Sequence, residues 1–305
     1  MKTNNKKVKV LIGKPTGFCS GVKRAIAIAK KQAQNSAGAP NTGRRVYTLG
    51  PIVHNAEVVN ELKKLNIKTI KPEQLKHGNR DKSVIIIRSH GCAPETIAKI
   101  KRLGYKIVDA TCPYVRRVGK YASQLKAEGY FTIVIGDKNH PEVKAIIGCA
   151  KPRALVYDAK FKINKLPARA RVGIIGQTTI PFRYFKDSVN RFNIGDYEEI
   201  RIFNTLCQES LNRQKTCKKI ADIVNLMIVV GSRASANTRS LLELAKESKT
   251  KVYLVENKSE LQKKWFKNLR RAGVIAGAST PSNTVLEVVK EIKKFTTREN
   301  NTNGR

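Results

Sequence analysis

The sequence predicts an α/β protein made of three small α/β units related by an internal repeat, and three observations carry that expectation. Short Val/Ile-rich runs alternate with amphipathic stretches, the pattern of parallel sheets covered by helices on both faces. Three cysteines, Cys19, Cys112 and Cys207, recur 93 and 95 residues apart, each just ahead of a helix-like stretch. Beyond each cysteine, two successive strands end in polar clusters at similar distances.

Taken in order, the run VKVLIG at 8–13 leads through PTGFCSG, with Cys19, into a helical pattern. The next strand ends in LGPIVHN with His54, and SVIIIRS at 83–89 runs into RSHG with His90. DATCPY then introduces Cys112 and the helical stretch CPYVRRVGKYASQLKAEG. Pro113 suits its first turn, where the missing N–H has no intrahelical partner to lose. FTIVIG at 131–136 leads to NHPEV with His140 and Glu142, and VGIIG at 172–176 to GQTT with Thr178. FNTLCQ introduces Cys207 and the helical stretch CQESLNRQKTCKKIADIV. MIVVG at 227–231 then leads to SRASANT with Ser235 and Asn237, and GVIAG at 273–277 to GAST with Ser279.

Counted from the preceding cysteine, His54, His140 and Ser235 fall at 35, 28 and 28 residues, and His90, Thr178 and Ser279 at 71, 66 and 72. A period near 95 residues is too long for one layer of a solenoid, so each repeat is expected to be a small α/β domain. The boundaries are set at 1–111, with the N-terminal strand and Cys19, then 112–206 with Cys112, and 207–295 with Cys207. The stretch 296–305, TTRENNTNGR, is expected to be a disordered tail. Ligands of parallel α/β folds gather at the carboxyl ends of the strands. Pseudo-threefold packing of the units would bring the three cysteines together at the centre.

Composition narrows the classes. At 305 residues with 41% hydrophobic content, the chain can bury a sizeable core. It has no apolar run long enough for a transmembrane helix, and because its first strand begins within eight residues no secretory h-region or transit peptide is expected. A cytoplasmic location is expected. Six cysteines without CxxC spacing suit neither a secreted disulfide scaffold nor a zinc ribbon. The net charge of +37 is spread as +17, +9 and +11 over the three units, so it marks a solvated lysine-rich surface rather than one nucleic-acid face. Such a surface can still attract a phosphorylated substrate or an acidic electron carrier.

Three cysteines at helix N-termini suit an iron–sulfur cluster, because iron binds thiolate and the helix end favours negative charge. A 4Fe–4S cluster with three protein thiolates keeps one open iron, which can act as a Lewis acid. The competing reading is a zinc site of three cysteines and one histidine, for which ligands some 95 residues apart are unusual. Three of the four histidines occupy strand ends, while His77 lies in the loop PEQLKHGNR. Together with Ser235, Asn237 and Ser279 they form a donor set suited to phosphate oxygens. Glu142 is the one carboxylate in the set and a natural proton donor or relay; as a plain structural residue it would be a helix N-terminal acid. Thr178 and Thr179 could pass a proton or hold a substrate hydroxyl. Cys92, Cys149 and Cys217 fall outside the repeat; Cys149 and Cys217 read as small core or surface residues, and the role of Cys92, two residues beyond His90, stays open with packing favoured.

PTGFCSGVKRAI, GPIVHN, RSHG, DATCP, NHPEV, GQTT, NRQ, VVGSRASANTRSL and AGASTP, in that order between residues 8 and 294, resemble the 4-hydroxy-3-methylbut-2-enyl diphosphate reductases. These enzymes belong to the methylerythritol phosphate route to isoprenoids. The resemblance implies a trefoil of three α/β domains around a central 4Fe–4S cluster held by Cys19, Cys112 and Cys207. It implies that His54, His90, His140, Ser235, Asn237 and Ser279 hold the substrate diphosphate, that Glu142 donates the proton, and that Thr178 lies near the substrate hydroxyl. The implied reaction removes an allylic hydroxyl with two electrons and two protons, giving isopentenyl and dimethylallyl diphosphate. Its electrons come from flavodoxin or ferredoxin, acidic proteins that a basic surface would attract.

Two departures stand out. The family pattern has two serines before the asparagine, whereas this chain has Ser235, Ala236 and Asn237, so one hydroxyl donor is missing. FNTLCQES also differs from the commoner ICYAT, with Ser210 in place of a threonine. Two other readings compete. A quinolinate synthase-type enzyme also has three domains and a three-cysteine cluster, but its motifs do not fit GFCSGV or NHPEV. A basic nucleic-acid-binding protein is opposed by an aromatic content of 6% without aromatics clustered beside the basic runs. No specific nucleic acid and no membrane partner are expected, and internal symmetry favours a monomer.

Overall fold

The structure is a computed structural model that describes residues 8–37, 45–75, 83–158, 166, 167 and 169–297. Among these, the strands form three separate four-stranded sheets, each wholly parallel. The elements run β1 (Lys9–Ile12), α1 (Ser20–Ala37), β2 (Arg45–Leu49), α2 (Ala56–Lys64), β3 (Ile67–Ile70), β4 (Ser83–Ile87), α3 (Pro94–Arg102) and β5 (Lys106–Asp109). They continue with α4 (Pro113–Ala127), β6 (Phe131–Ile135), α5 (Pro141–Ala150), β7 (Ala154–Tyr157), β8 (Arg171–Gly176), α6 (Phe182–Val189) and β9 (Glu199–Ile202). The last are α7 (Gln208–Ala221), β10 (Leu226–Val230), α8 (Ala236–Lys246), β11 (Lys251–Val255), β12 (Arg271–Ala276) and α9 (Ser282–Thr297).

The sheet orders are β3-β2-β4-β5, β7-β6-β8-β9 and β1-β12-β10-β11. Written from the other edge, the third is β11-β10-β12-β1, so all three share one topology. In each, the outer strand that leads to a cysteine lies at the same edge: β5 before Cys112, β9 before Cys207 and β1 before Cys19. This corrects the expected place of the N-terminal strand. It pairs with β12 of the third sheet, Lys9 opposite Arg271 through Ile12 opposite Val274, and not with the first sheet. The Cys-to-Cys repeat is real, but each sheet closes on its cysteine instead of opening on it. The chain forms two compact parts, residues 20–207 with the first two sheets, and residues 1–19 with 208–305 holding the third.

The third sheet shows why its central strands are continuous apolar runs. One face buries Leu226, Ile228, Val230 and Val274 against Val285, Val288 and Ile292 of α9. The other buries Met227, Val229 and Ile275 against Cys217 and Ala221 of α7 and Leu241 and Ala245 of α8. With both faces covered, β4 and β10 are buried at every position, whereas the edge strands β3, β5 and β9 are not. At the C-terminus α9 runs to Thr297, two residues into the expected tail, because Val288, Val289 and Ile292 tie it to the sheet. The rest of the tail, and His77, lie outside the described residues. No described helix is long and apolar enough to cross a membrane.

Candidate active site

The site residues sit at strand ends with a regularity finer than the sequence offsets. After β2, β6 and β10 the chain turns at Gly50, Gly136 and Gly231, whose N–H groups donate to Ile70, Tyr157 and Val255 at 2.8, 3.3 and 2.9 Å. The fifth residue past each of these strands is His54, His140 and Ser235. There the helices start: Asn55 caps α2, His140 caps α5 and Ser235 caps α8. The seven extra residues between Cys19 and His54, relative to the other two repeats, fall in α1 and the stretch that follows it.

Past β4, β8 and β12 a second turn repeats. Gly91 N–H donates to Arg88 O at 3.0 Å, Ile180 N–H to Gln177 O at 3.4 Å, and Thr280 N–H to Gly277 O at 3.1 Å. The carbonyl inside each turn accepts a cysteine N–H: Ser89 from Cys112 at 3.0 Å, Thr178 from Cys207 at 2.9 Å, and Ala278 from Cys19 at 3.0 Å. The next residue is His90, Thr179 and Ser279. Thr179 is therefore the repeat partner of His90 and Ser279, and Thr178 stands one residue earlier, where its backbone holds Cys207 and its side chain does something else.

Within residues 20–207 the three histidines gather. Ring centroids are 4.8 Å apart for His54 and His90, 6.0 Å for His54 and His140, and 5.3 Å for His90 and His140. One nitrogen from each lies within 4.8 Å of the others, a grouping able to hold an anion or a metal ion. His140 Nδ1 accepts the Glu142 N–H at 3.2 Å. An amide can only donate, so in the neutral ring the proton is on Nε2, which is a donor. His90 Nδ1 is buried with no hydrogen-bond partner among the described residues. Burial, reinforced by His54, His140 and Arg88, holds the His90 ring well below the usual histidine pKa. The buried, unpartnered His90 Nδ1 in this group can be satisfied by a polar or charged ligand.

Glu142, the second residue of the helix that His140 caps, is fully buried. Its Oε1 accepts the Thr178 N–H at 2.6 Å and its Oε2 the Thr178 hydroxyl at 2.9 Å. Burial pushes its pKa up to about 7, against the pull of both Thr178 bonds. Glu142 occupies the first turn of α5, as the plain structural reading expects, and its raised pKa leaves it able to hold a proton near neutrality.

The other part of the chain holds its own polar group. Asn237 Oδ1 accepts the Ala278 N–H at 2.9 Å, which fixes the amide orientation, and Nδ2 donates to Ser210 Oγ at 2.9 Å. Ser235 Oγ accepts the Thr238 N–H at 3.3 Å, so its hydrogen points elsewhere. Ser235, Asn237 and Ser279 are all buried, and Ala236 between the first two is half-buried. Arg213, also on α7, has no exposed surface. The chemistry of Arg213 was not legible beforehand; NRQ marked it only as part of a motif, in a helix otherwise rich in exposed lysines.

The three repeat cysteines are half-buried and none is in a disulfide. Each is the residue immediately before a helix, α1, α4 or α7. Each of these thiols, on a main chain tethered at a helix N-terminus, has a setting that favours the thiolate, the form that binds iron. The remaining cysteines lie in or against the sheet cores. Cys217 lies in the α7–α8 core, where burial pushes its thiol up to about 12. Cys92 and Cys149 pack against the cores of the first and second sheets, and burial raises both.

Comparison with known proteins agrees with this layout. Residues 10–293 match the family described as LytB protein. A 4-hydroxy-3-methylbut-2-enyl diphosphate reductase of Aquifex aeolicus is 38% identical over 291 residues, covering 94% of this chain and 97% of that protein. One from Geotalea uraniireducens is 37% identical, covering 96% of this chain and all of that protein. A solved (E)-4-hydroxy-3-methyl-but-2-enyl diphosphate reductase, the terminal enzyme of the non-mevalonate pathway, shares 37% identity with a TM-score of 0.66, over 94% of this chain and 99% of that one. The Plasmodium falciparum E-1-hydroxy-2-methyl-but-2-enyl-4-diphosphate reductase shares 26% with a TM-score of 0.84, over 93% of this chain and 87% of that one. These matches favour neither the quinolinate synthase-type reading nor the nucleic-acid one. Over nearly its whole length, this chain belongs to the LytB family of 4-hydroxy-3-methylbut-2-enyl diphosphate reductases.

Proposed function

We propose that this chain reduces 4-hydroxy-3-methylbut-2-enyl diphosphate to isopentenyl and dimethylallyl diphosphate, with Cys19, Cys112 and Cys207 holding one 4Fe–4S cluster that keeps an open iron. The observation that carries the reading is Glu142, a buried carboxyl with a pKa near 7, bonded to the residue whose carbonyl holds Cys207. When bound, such a cluster supplies one-electron chemistry and a Lewis-acidic iron. The balance is two electrons and two protons in, one water out.

The chain's own residues bind, orient and protonate. His54, His90 and His140 receive the diphosphate on one part of the chain, and Ser235, Asn237 and Ser279 supply hydroxyl and amide donors on the other. A phosphate oxygen gives the His90 ring the polar partner that burial denies it. Glu142 carries one proton for the departing hydroxyl, and the Thr178 hydroxyl fixes which of its oxygens faces away from the backbone. The electrons come from an acidic one-electron carrier, a flavodoxin or ferredoxin, drawn to a surface of net charge +37. The enzyme works as a cytoplasmic monomer on this reading.

The test is anaerobic purification, a visible spectrum, and an iron and sulfide count. A brown protein with about four irons and four sulfides per chain, lost in Cys112→Ser, and turnover of the allylic diphosphate with a reduced one-electron donor support the reading. A protein that takes up no iron on reconstitution overturns the proposed chemistry.

A further inference from the structure

Arg213 is fully buried on α7, and its hydrogen bonds join segments far apart in sequence. Nη1 donates to Pro15 O at 2.7 Å and to Ala276 O at 3.0 Å, and Nη2 donates to Gly17 O at 2.8 Å. One turn further along α7, the Thr216 hydroxyl donates to Lys14 O at 3.0 Å. Pro15 and Gly17 lie in the turn between β1 and Cys19, and Ala276 ends the strand that leads to Ala278, the acceptor of the Cys19 N–H. One guanidinium thus ties both halves of the main-chain frame around Cys19.

We propose that Arg213 is a positioning residue that fixes the 13–19 turn so that the Cys19 thiol stands as a metal ligand; this rests on the reading of Cys19 as a cluster ligand. Burying a guanidinium is unfavourable unless its donors are matched, so an apolar side chain would fill the same space at lower cost if packing were its only role. What a planar fork adds is several directed bonds at once to main-chain carbonyls of separate segments. The turn needs such a hold. Gly17 has φ +77° and sits so close to Ser282 that an added Cβ would overlap its hydroxyl. A related clamp occurs one cysteine along: Arg24, on the helix after Cys19, donates to Thr111 O at 3.0 Å, the residue before Cys112. In both cases the helix after one cysteine bonds the turn before another.

The test compares Arg213→Gln, Arg213→Lys and the control Cys217→Ala, which destabilises the same helix from the core. Hydrogen exchange is followed in the apoprotein, and iron loss to a ferrous chelator in the anaerobically reconstituted protein. Expected for Arg213→Gln are amide exchange over 13–19 about ten-fold faster or more, with the 108–113 segment unchanged, and iron loss faster by about ten-fold. Arg213→Lys should recover part of both, and Cys217→Ala should change neither beyond its global melting. Unchanged exchange over 13–19 in Arg213→Gln, or the same increase in Cys217→Ala, overturns the role of Arg213 even where the parent holds iron normally. A parent that takes up no iron removes the ligand reading of Cys19 and this role with it, an outcome recognisable because the variants are then not needed to see it.

Discussion

Glu142 and Thr178 are joined twice, backbone N–H to Oε1 at 2.6 Å and hydroxyl to Oε2 at 2.9 Å, and the Thr178 carbonyl accepts the Cys207 N–H at 2.9 Å. A single residue therefore couples the buried carboxyl to one cysteine turn. Its two donors favour the carboxylate while burial favours the acid, and burial is the larger effect. The balance leaves the group half-protonated at neutral pH, where an acid can both give and regain a proton.

Glu142→Gln should lower turnover by about 10²–10⁴-fold with the iron content of the reconstituted protein unchanged. Its stability should show the carboxyl by its absence. The folded pKa near 7 lies above the usual 4.5, so the contribution of Glu142 to stability is present below pH 4.5 and lost as pH rises through 7. Melting curves from pH 4.5 to 8 should show the glutamine variant gaining on the parent, by on the order of 3 kcal/mol in all. A constant difference across that range would exclude a raised Glu142 pKa.

Thr178→Val keeps the backbone donor but removes the hydroxyl that favours the carboxylate. The Glu142 pKa should move further up, and the alkaline limb of kcat/KM against pH with it. Thr178→Ser should restore the parent profile. A limb that stays in place in the valine variant would mean that another group controls it.

Diphosphate binding should be accompanied by proton uptake. His90 is held neutral by burial and its histidine neighbours, and an anion placed among the three rings favours their charged forms. Calorimetric titration with inorganic diphosphate in buffers of different ionisation enthalpy reads the protons directly. His90→Asn should weaken binding and reduce the uptake; binding without proton exchange at pH 7 would count against a histidine cradle.

Ala236 stands half-buried between Ser235 and Asn237, where the family pattern has a second serine. Ala236→Ser should return one hydroxyl to the loop proposed to receive the diphosphate. A hydrogen bond to a charged group contributes about 1.5–3 kcal/mol, so KM should fall by roughly ten-fold or more, with kcat little changed. Kinetic constants identical to the parent would show that backbone donors already fill that place.

Much of this was legible in the sequence, for a physical reason. Strands buried on both faces must be apolar throughout, so VIII in β4 and LMIVV in β10 announce themselves. Cysteines and histidines are rare in this chain, so their recurrence after those strands exposes the repeat, and with the ordered motifs it identifies the family. Half-exposed edge strands such as KIVD in β5 and EIRI in β9 carry no such signal.

What the sequence determined by itself is the repeat, its chemistry-bearing residues and the family. Tertiary structure decided the partners. Only strand pairing could assign β1 to the third sheet, because hydrogen bonds between strands are blind to order along the chain. Only the turn geometry could put Thr179, not Thr178, in phase with His90 and Ser279, since an offset shifts with every change in helix or loop length. And only packing could bury Glu142 and Arg213 completely, which turns an ordinary helix-start acid into a group titrating near 7 and one arginine among many basic residues into the anchor of a cysteine turn.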